Sequence, residues 1–286
     1  MGILLGLATA LAWGTSDFFA RFVTRRVGTL RSLFYMQTWG FLLLTTYLLV
    51  THSWGHLFDG SGWRPWAWGF LAGGCNTVAM FSFYRCLEVG KVAVVAPLSA
   101  SYPALTLFLS MFSGERLSLL RLFGVLAVLI GVILVARGEV VSDESSKNAN
   151  SGIIWALIAS IFFGVLFWLL GLRIIATTGP YASLWLIRMT GSLASLSVLL
   201  FRRMPVFKSL GTFNWQPPLM GLLDTGAFAI SNRGMQMEQV SIITVLSSLY
   251  GAVTVLLAAI FLREQVAPVQ RIGIAAIFAG IFLISW

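Results

Sequence analysis

Apolar runs of about 20 residues recur along the chain between short polar breaks, and each is long enough to cross a ~30 Å hydrocarbon core as a helix. Ten can be marked, at 2–20, 32–51, 67–86, 92–112, 118–137, 152–172, 181–201, 217–236, 240–262 and 268–286. Connections such as GERLS (114–118) and REQVAP (263–268) leave room only for antiparallel neighbours. RGEVVSDESSKNANSG (137–152) alone has a linker's composition, and five runs lie on each side of it.

The two halves match each other at offsets of 148–151 residues. GILLGLATALAWG lies over GIIWALIASIFFG, which pairs Gly2 with Gly152 and Gly14 with Gly164. Further mates are Gly28 and Gly179, Gln37 and Arg188, Gly40 and Gly191. The third run pairs Asn76-Thr77 with Asp224-Thr225 and Arg85 with Arg233; the fourth pairs Tyr102 with Tyr250 and Thr106 with Thr254. The closing runs pair Glu115 with Glu264, Gly124 with Gly273 and Gly131 with Gly280. Five spans is an odd number, so the second copy enters the membrane from the opposite face. The expected fold is an all-α membrane protein, ten transmembrane helices in two inverted five-helix repeats, with repeats at 1–137 and 152–286 and a linker at 138–151.

Composition excludes a water-soluble domain. Of 286 residues, 58% are hydrophobic and 10% charged, and the mean hydropathy is +0.89, where a soluble domain carries about a quarter charged residues. The net charge of +9 lies between the apolar runs rather than on one face, which marks topology and not nucleic acid binding. Cys75 and Cys86 share one run and form neither a metal spacing nor a disulfide framework. The chain begins apolar, as a first span rather than a cleaved signal. Both histidines, His52 and His56, fall in one break, and no Ser/His or Cys/His pair sits on facing runs. These features call for no enzyme activity, no cofactor and no metal. No Gly-rich nucleotide loop is present, so a primary pump would need a partner subunit.

WGTSDFFAR (13–21) and the repeat-closing SGERLSLLRLFGVLAVLIGVILV, with its second copy LREQVAPVQRIGIAAIFAGIFLI, resemble the drug/metabolite transporter superfamily, in its ten-helix branch of paired EamA-type repeats. The resemblance covers nearly the whole chain. It is specific for fold and weak for substrate, because that family carries amino acids, cations, sugars, nucleotide-linked compounds and drugs. It implies secondary transport by alternating access in the inner or plasma membrane. Both termini share a side. The resemblance puts that side in the cytoplasm. Only four Lys or Arg flank the spans on the N-terminal side, against twelve opposite, and this count puts the termini outside.

Ionisable groups within a span cost roughly 2.5–3.5 kcal/mol each on insertion scales, so the few present are informative. Arg188 and Asp224 lie deep in the seventh and eighth runs, and their mates Gln37 and Asn76 are polar but neutral. The expectation is a polar ring around a central cavity. Arg188 would meet a substrate carboxylate or phosphate, and Asp224 an ammonium or a coupling proton. The alternative is that the two pair and hold their helices together. Asp17 and Arg21 have the i, i+4 spacing of a helical salt bridge near the end of the first run. Asp17 is also a second candidate for proton coupling. Ser99 and Tyr102 bracket the start of the kink that Pro103 imposes, and Ser248 and Tyr250 repeat the pattern. The carbonyl freed near Ser99 must face water or protein, which puts this stretch on the cavity wall.

Aromatic residues Trp13, Phe83, Tyr84, Phe163, Trp168 and Trp185 fall in the same runs, whereas Trp54, Trp63, Trp66, Trp68 and Trp215 suit interfacial belts. The candidate substrate site is therefore Trp13, Gln37, Asn76, Tyr84, Ser99, Tyr102, Trp168, Trp185, Arg188, Asp224, Ser248 and Tyr250. Glu115 and Glu264 are assigned to structure, capping the following helix or pairing with Arg116 and Arg263. The functional expectation is a transporter of a small polar or zwitterionic metabolite, with amino-acid export the first example. Organic cations such as quaternary amines or drugs are the alternative, held by cation–π contact, and a membrane-embedded enzyme is a distant third. The expected partners are a small-molecule substrate and the lipid bilayer, with no nucleic acid and a homodimer left open.

Overall fold

Gly28 and Gly179 each form a one-residue connection between two long helices, and both adopt the positive φ that glycine alone takes freely (φ 86, ψ 162 and φ 96, ψ 153). The computed structural model in which they sit describes all residues except 90–94, 96–97, 138–148, 209, 263–267 and 286. The first repeat contains α1 (Gly2–Val27), α2 (Thr29–Thr51), α3 (Arg64–Val89), α4 (Tyr102–Phe112) and α5 (Leu119–Arg137). The second contains α6 (Ala149–Leu169), α7 (Pro180–Phe201), α8 (Gln216–Gly234), α9 in two pieces, α9a (Val240–Ser247) and α9b (Tyr250–Leu262), and α10 (Pro268–Ser285). A π turn, Leu170–Ile174, extends α6 as one rod to Thr178. The expected first and sixth spans stopped at residues 20 and 172. The helices run on through Arg21 and Arg173, because a charge at a helix end breaks the hydropathy but not the backbone hydrogen bonding. Most of the expected linker, 138–148, lies outside the described residues, and α6 already begins at Ala149.

The packing is two-fold. α1 lies on α8 as α6 lies on α3, while α2 packs on its own mate α7 and α5 on its own mate α10. Single bonds repeat the pattern. The Thr254 hydroxyl donates to the Gly14 carbonyl at 3.1 Å, and the Thr106 hydroxyl to the Gly164 carbonyl at 3.1 Å. The mates also run in opposite senses. Gly2, at the start of α1, packs on Glu238 just past the end of α8. Asn232, near that same end of α8, bonds the Pro180 carbonyl, and Thr178, where the α6 rod finishes, bonds the Pro65 carbonyl. So α1 begins at the end of the bundle where α6 finishes, and the repeats are inverted.

The α5–α10 seam depends on two glycines. A Cβ on Gly131 would lie 2.7 Å from the Gly273 carbonyl oxygen, and one on Gly280 would lie 2.6 Å from that of Gly124. This is a small-residue contact that lets the backbones approach closely. Gly131→Ala and Gly280→Ala should each destabilise by about 1–3 kcal/mol, and by equal amounts, in detergent unfolding. A large effect at one position and none at the other would mean the seam is not two-fold.

Both fourth spans break at mated positions, Ala100–Ser101 and Ser248–Leu249. Only the first has a proline beyond the break; Gly251 stands where Pro103 would be. The break therefore belongs to the repeat rather than to Pro103. It is stitched by three-residue bonds, such as Leu249 N–H to the Leu246 carbonyl (3.3 Å) and Ala104 N–H to the Ser101 carbonyl (3.0 Å).

Two expectations about the ends change. The Glu115 carboxylate accepts from the backbone and hydroxyl of Ser241, so it caps α9a of the other repeat rather than its own next helix or Arg116. Glu264 and Arg263 lie outside the described residues. Trp54 and Trp66 are not a simple interfacial belt, because both make edge contacts with Trp185 where the 52–63 loop folds against α7 (5.6 and 6.5 Å). In that exposed loop, hydrogen bonds from Ser61 and then His56 hold the Asp59 carboxyl at about 2, so the turn keeps its charge at ordinary pH.

Candidate functional site

Four helices each contribute two residues one turn apart to a central cavity: Trp13 and Asp17 on α1, Asn76 and Met80 on α3, Phe163 and Phe167 on α6, Asp224 and Phe228 on α8. Tyr102 and Tyr250 enter from the broken fourth spans, and Phe83 completes the wall. The cavity is narrow, with a volume of about 40 Å³. Ten of its eleven lining residues are five mated pairs, Trp13 with Phe163, Asp17 with Phe167, Asn76 with Asp224, Met80 with Phe228 and Tyr102 with Tyr250. The cavity therefore straddles the two-fold axis. Its shape is nearly symmetric and its chemistry is not, since both carboxyls have neutral mates.

The rings interlock. Trp13 makes edge contacts with Phe167, Phe228 and Tyr250 at 5.7, 5.7 and 6.3 Å, and Tyr102 stacks on Phe167 at 5.1 Å. Such a box offers π faces from several directions.

Arg188 is 0% exposed and does not line the cavity. Its guanidinium pairs with Asp224, donates to Gln37 Oε1 at 2.9 Å and to Met36 Sδ at 3.2 Å, and lies 5.6 Å from the Phe228 ring. The two glycine mates make room for this network. A Cβ on Gly40 would sit 3.1 Å from Arg188 Cδ, and one on Gly191 would sit 2.7 Å from Gln37 Cδ. The expected ring of four polar groups is thus split. Arg188 and Gln37 are mates that bond each other behind the wall, whereas Asp224 and Asn76 are mates on the wall. The pairing of Arg188 with Asp224 is the arrangement found, and it sets the guanidinium behind the cavity wall.

Asp17 lies in the middle of α1 rather than near its end, and among the described residues no ion pair within 4.0 Å joins it to Arg21. It is partly exposed in the cavity, with Asp224 as a nearby like charge. The side-chain N and O of Asn76 are both buried at the wall with no hydrogen-bond partner among the described residues, so its amide is unsatisfied.

Several expected site residues sit elsewhere. Trp168 donates to the Ser113 hydroxyl (2.8 Å), and Trp185 to that of Thr45 (2.9 Å), each away from the cavity. The hydroxyls of Ser99 and Ser248 turn back onto the carbonyls of Val95 and Val245 at 2.9 and 2.7 Å, satisfying their own helices. Tyr84 is buried behind Phe83 at 6.0 Å. Met80, Phe167 and Phe228 were missed. Each lies one turn from an expected polar residue or is the mate of a lining residue, so extending the site by i+4 and by the repeat would have found them. Among the described residues, no group of three or more His, Cys, Asp or Glu lies together as a metal site would require.

The model of the EamA-like transporter family matches residues 1–137 and 150–286. The chain belongs to the EamA-like transporter family. Among its relatives is the uncharacterized transporter YxxF of Bacillus subtilis, 29% identical over 218 residues, 73% of this chain and 67% of that one. The uncharacterized protein MJ1333.1 of Methanocaldococcus jannaschii is 25% identical over 146 residues, 47% of this chain and 95% of the other, so it is about as long as one repeat here. A solved crystal structure superposes with a TM-score of 0.78 over 99% of this chain and 95% of that one, and at 20% identity it shows the fold alone. This EamA-like chain is therefore a multi-pass membrane protein of a transporter family.

Proposed function

We propose that this EamA-like protein is a secondary transporter that works by alternating access and carries a small organic cation with an apolar body. One observation carries the reading: among the described residues, Asp17 is the cavity carboxyl without a cationic partner, inside a box of seven aromatic side chains. A carboxyl in that setting is costly until a proton or a cation neutralises it. An amine offers both a charge for Asp17 and a cation–π fit to the rings. Exchange of one neutralising partner for the other would couple transport to a proton gradient.

The mated bonds and mated breaks support alternating access, because swapping the conformations of the two halves needs no new kind of contact. A zwitterion such as an amino acid keeps one foothold, the amide of Asn76, which lines the same cavity as Asp17 and has no partner among the described residues. It has lost the Arg188 guanidinium as a direct partner for its carboxylate. A thermal-shift titration of the purified protein decides between them. Quaternary and aromatic amines should stabilise it, by about 2.7 kcal/mol at a hundredfold excess over Kd. Stabilisation by amino acids or sugar phosphates and not by amines would sink the cation reading.

A further inference from the structure

A second hollow, of about 780 Å³, opens toward the bilayer between α2 and α8. Its long wall is α2 from Trp39 to Thr51, an outward face with Trp39 46%, Tyr47 40% and Val50 75% exposed. The opposite wall carries Gly226 and Ala229 on α8. At the mated positions α3 carries Val78 and Phe81, and Phe81 packs on Trp155 at 5.7 Å. The second repeat thus lines the hollow with two small residues where the first carries a valine and a phenylalanine.

The charge at its mouth is asymmetric in the same sense. Arg233 follows Ala229 by one turn on the same face of α8 and lies near Tyr181, whose ring meets Tyr47 at 5.2 Å. Its mate Arg85 is neutralised by Glu88 at 2.9 Å. Arg233 instead donates to the uncharged amide of Gln236 at 2.8 Å and is exposed, so it keeps a full positive charge to offer. Thus the α8 wall combines small residues with an arginine that has no carboxylate partner among the described residues, where the mated positions of α3 carry larger side chains and a paired arginine.

We propose that this groove holds one phospholipid, with an acyl chain along α2 and the phosphate on Arg233. The dimensions agree: from Thr51 to Trp39 the helix rises about 18 Å, and one leaflet of a ~30 Å core is about 15 Å deep. A guanidinium at the interface pairs well with a phosphate. The acyl chain ends beside Thr225, the neighbour of Asp224, where Gly40 of α2 packs closely on α8 next to the Arg188 network. The proposal does not depend on what the central cavity carries.

Native mass spectrometry of the detergent-purified full chain tests it, with dioleoylphosphatidylglycerol and the phosphate-free dioleoylglycerol as probes. One phosphatidylglycerol should be retained per protein. Ala229→Phe, the residue the first repeat uses, should cut retention of both probes at least fivefold. Arg233→Gln should cut phosphatidylglycerol at least fivefold and leave dioleoylglycerol unchanged, and Arg85→Gln should change neither. Full retention by Ala229→Phe, or of phosphatidylglycerol by Arg233→Gln, overturns the proposal. If Ala229→Phe does not fold, Gly226→Val fills the groove under the same criterion.

Discussion

Arg188→Leu should prevent the protein from accumulating in folded form. The substitution leaves the buried Asp224 carboxylate and the buried Gln37 carbonyl oxygen without their donor. Stranding one partner of a buried ion pair costs about 3–5 kcal/mol, a large share of the 5–15 kcal/mol that holds a typical fold. Arg188→Lys should rescue only in part, since an ammonium cannot reproduce the fork that reaches Asp224, Gln37 and Met36 together. The double variant Arg188→Leu/Asp224→Leu should recover most of the stability, because replacing a buried pair by apolar groups is often neutral. Expression and detergent unfolding of the three variants are the measurements. A stable Arg188→Leu single variant would mean that the pair does not hold α7 to α8.

Asp17→Asn should give the opposite pattern, a folded protein without its binding. Asp17 has no ion partner among the described residues and is partly exposed, so its removal strands nothing and relieves the cost of a carboxyl within the span. Amine affinity should fall about a hundredfold, roughly 2.7 kcal/mol. The pH profile carries the sharper test. Protons and amines compete for one carboxyl, so wild-type affinity should decrease as pH falls through the range where Asp17 takes up its proton, by up to about tenfold per unit. The Asn variant should be flat over that range. A variant that still binds amines with the wild-type pH dependence would remove Asp17 from the mechanism. Asp224→Asn is a poor substitute for this test, because it also frees Arg188 and lowers stability.

Much of the site was legible before any coordinates. Trp13, Asn76, Tyr102, Asp224 and Tyr250 line the cavity as expected, and they did so for one reason. A polar or aromatic residue deep in an apolar run needs a protein or water partner, and the duplication shows which of them return in the second copy. Trp168 and Trp185 lie away from the cavity, because aromatic residues are equally at home at the interface, packed on a loop, or in a cavity. Arg188 took the second of its two expected arrangements, pairing with Asp224. Its depth correctly marked it as paired or functional, but nothing in the run says whether it turns toward the cavity or toward Gln37.

From sequence alone came residence in the membrane, the ten helices, their duplication and their inversion. These follow from transfer energies that add along the chain and from an odd number of spans per repeat, neither of which needs a fold. Only the tertiary structure decided which cavity carboxyl lacks an ion partner among the described residues, that Arg188 pairs with Asp224 behind the wall, and that a hollow opens between α2 and α8. Helices that are apolar on every side carry no stripe to mark their inner face. Their rotation is set pairwise, where glycines such as Gly40 and Gly191 let a neighbouring helix come close and turn a buried side chain toward it.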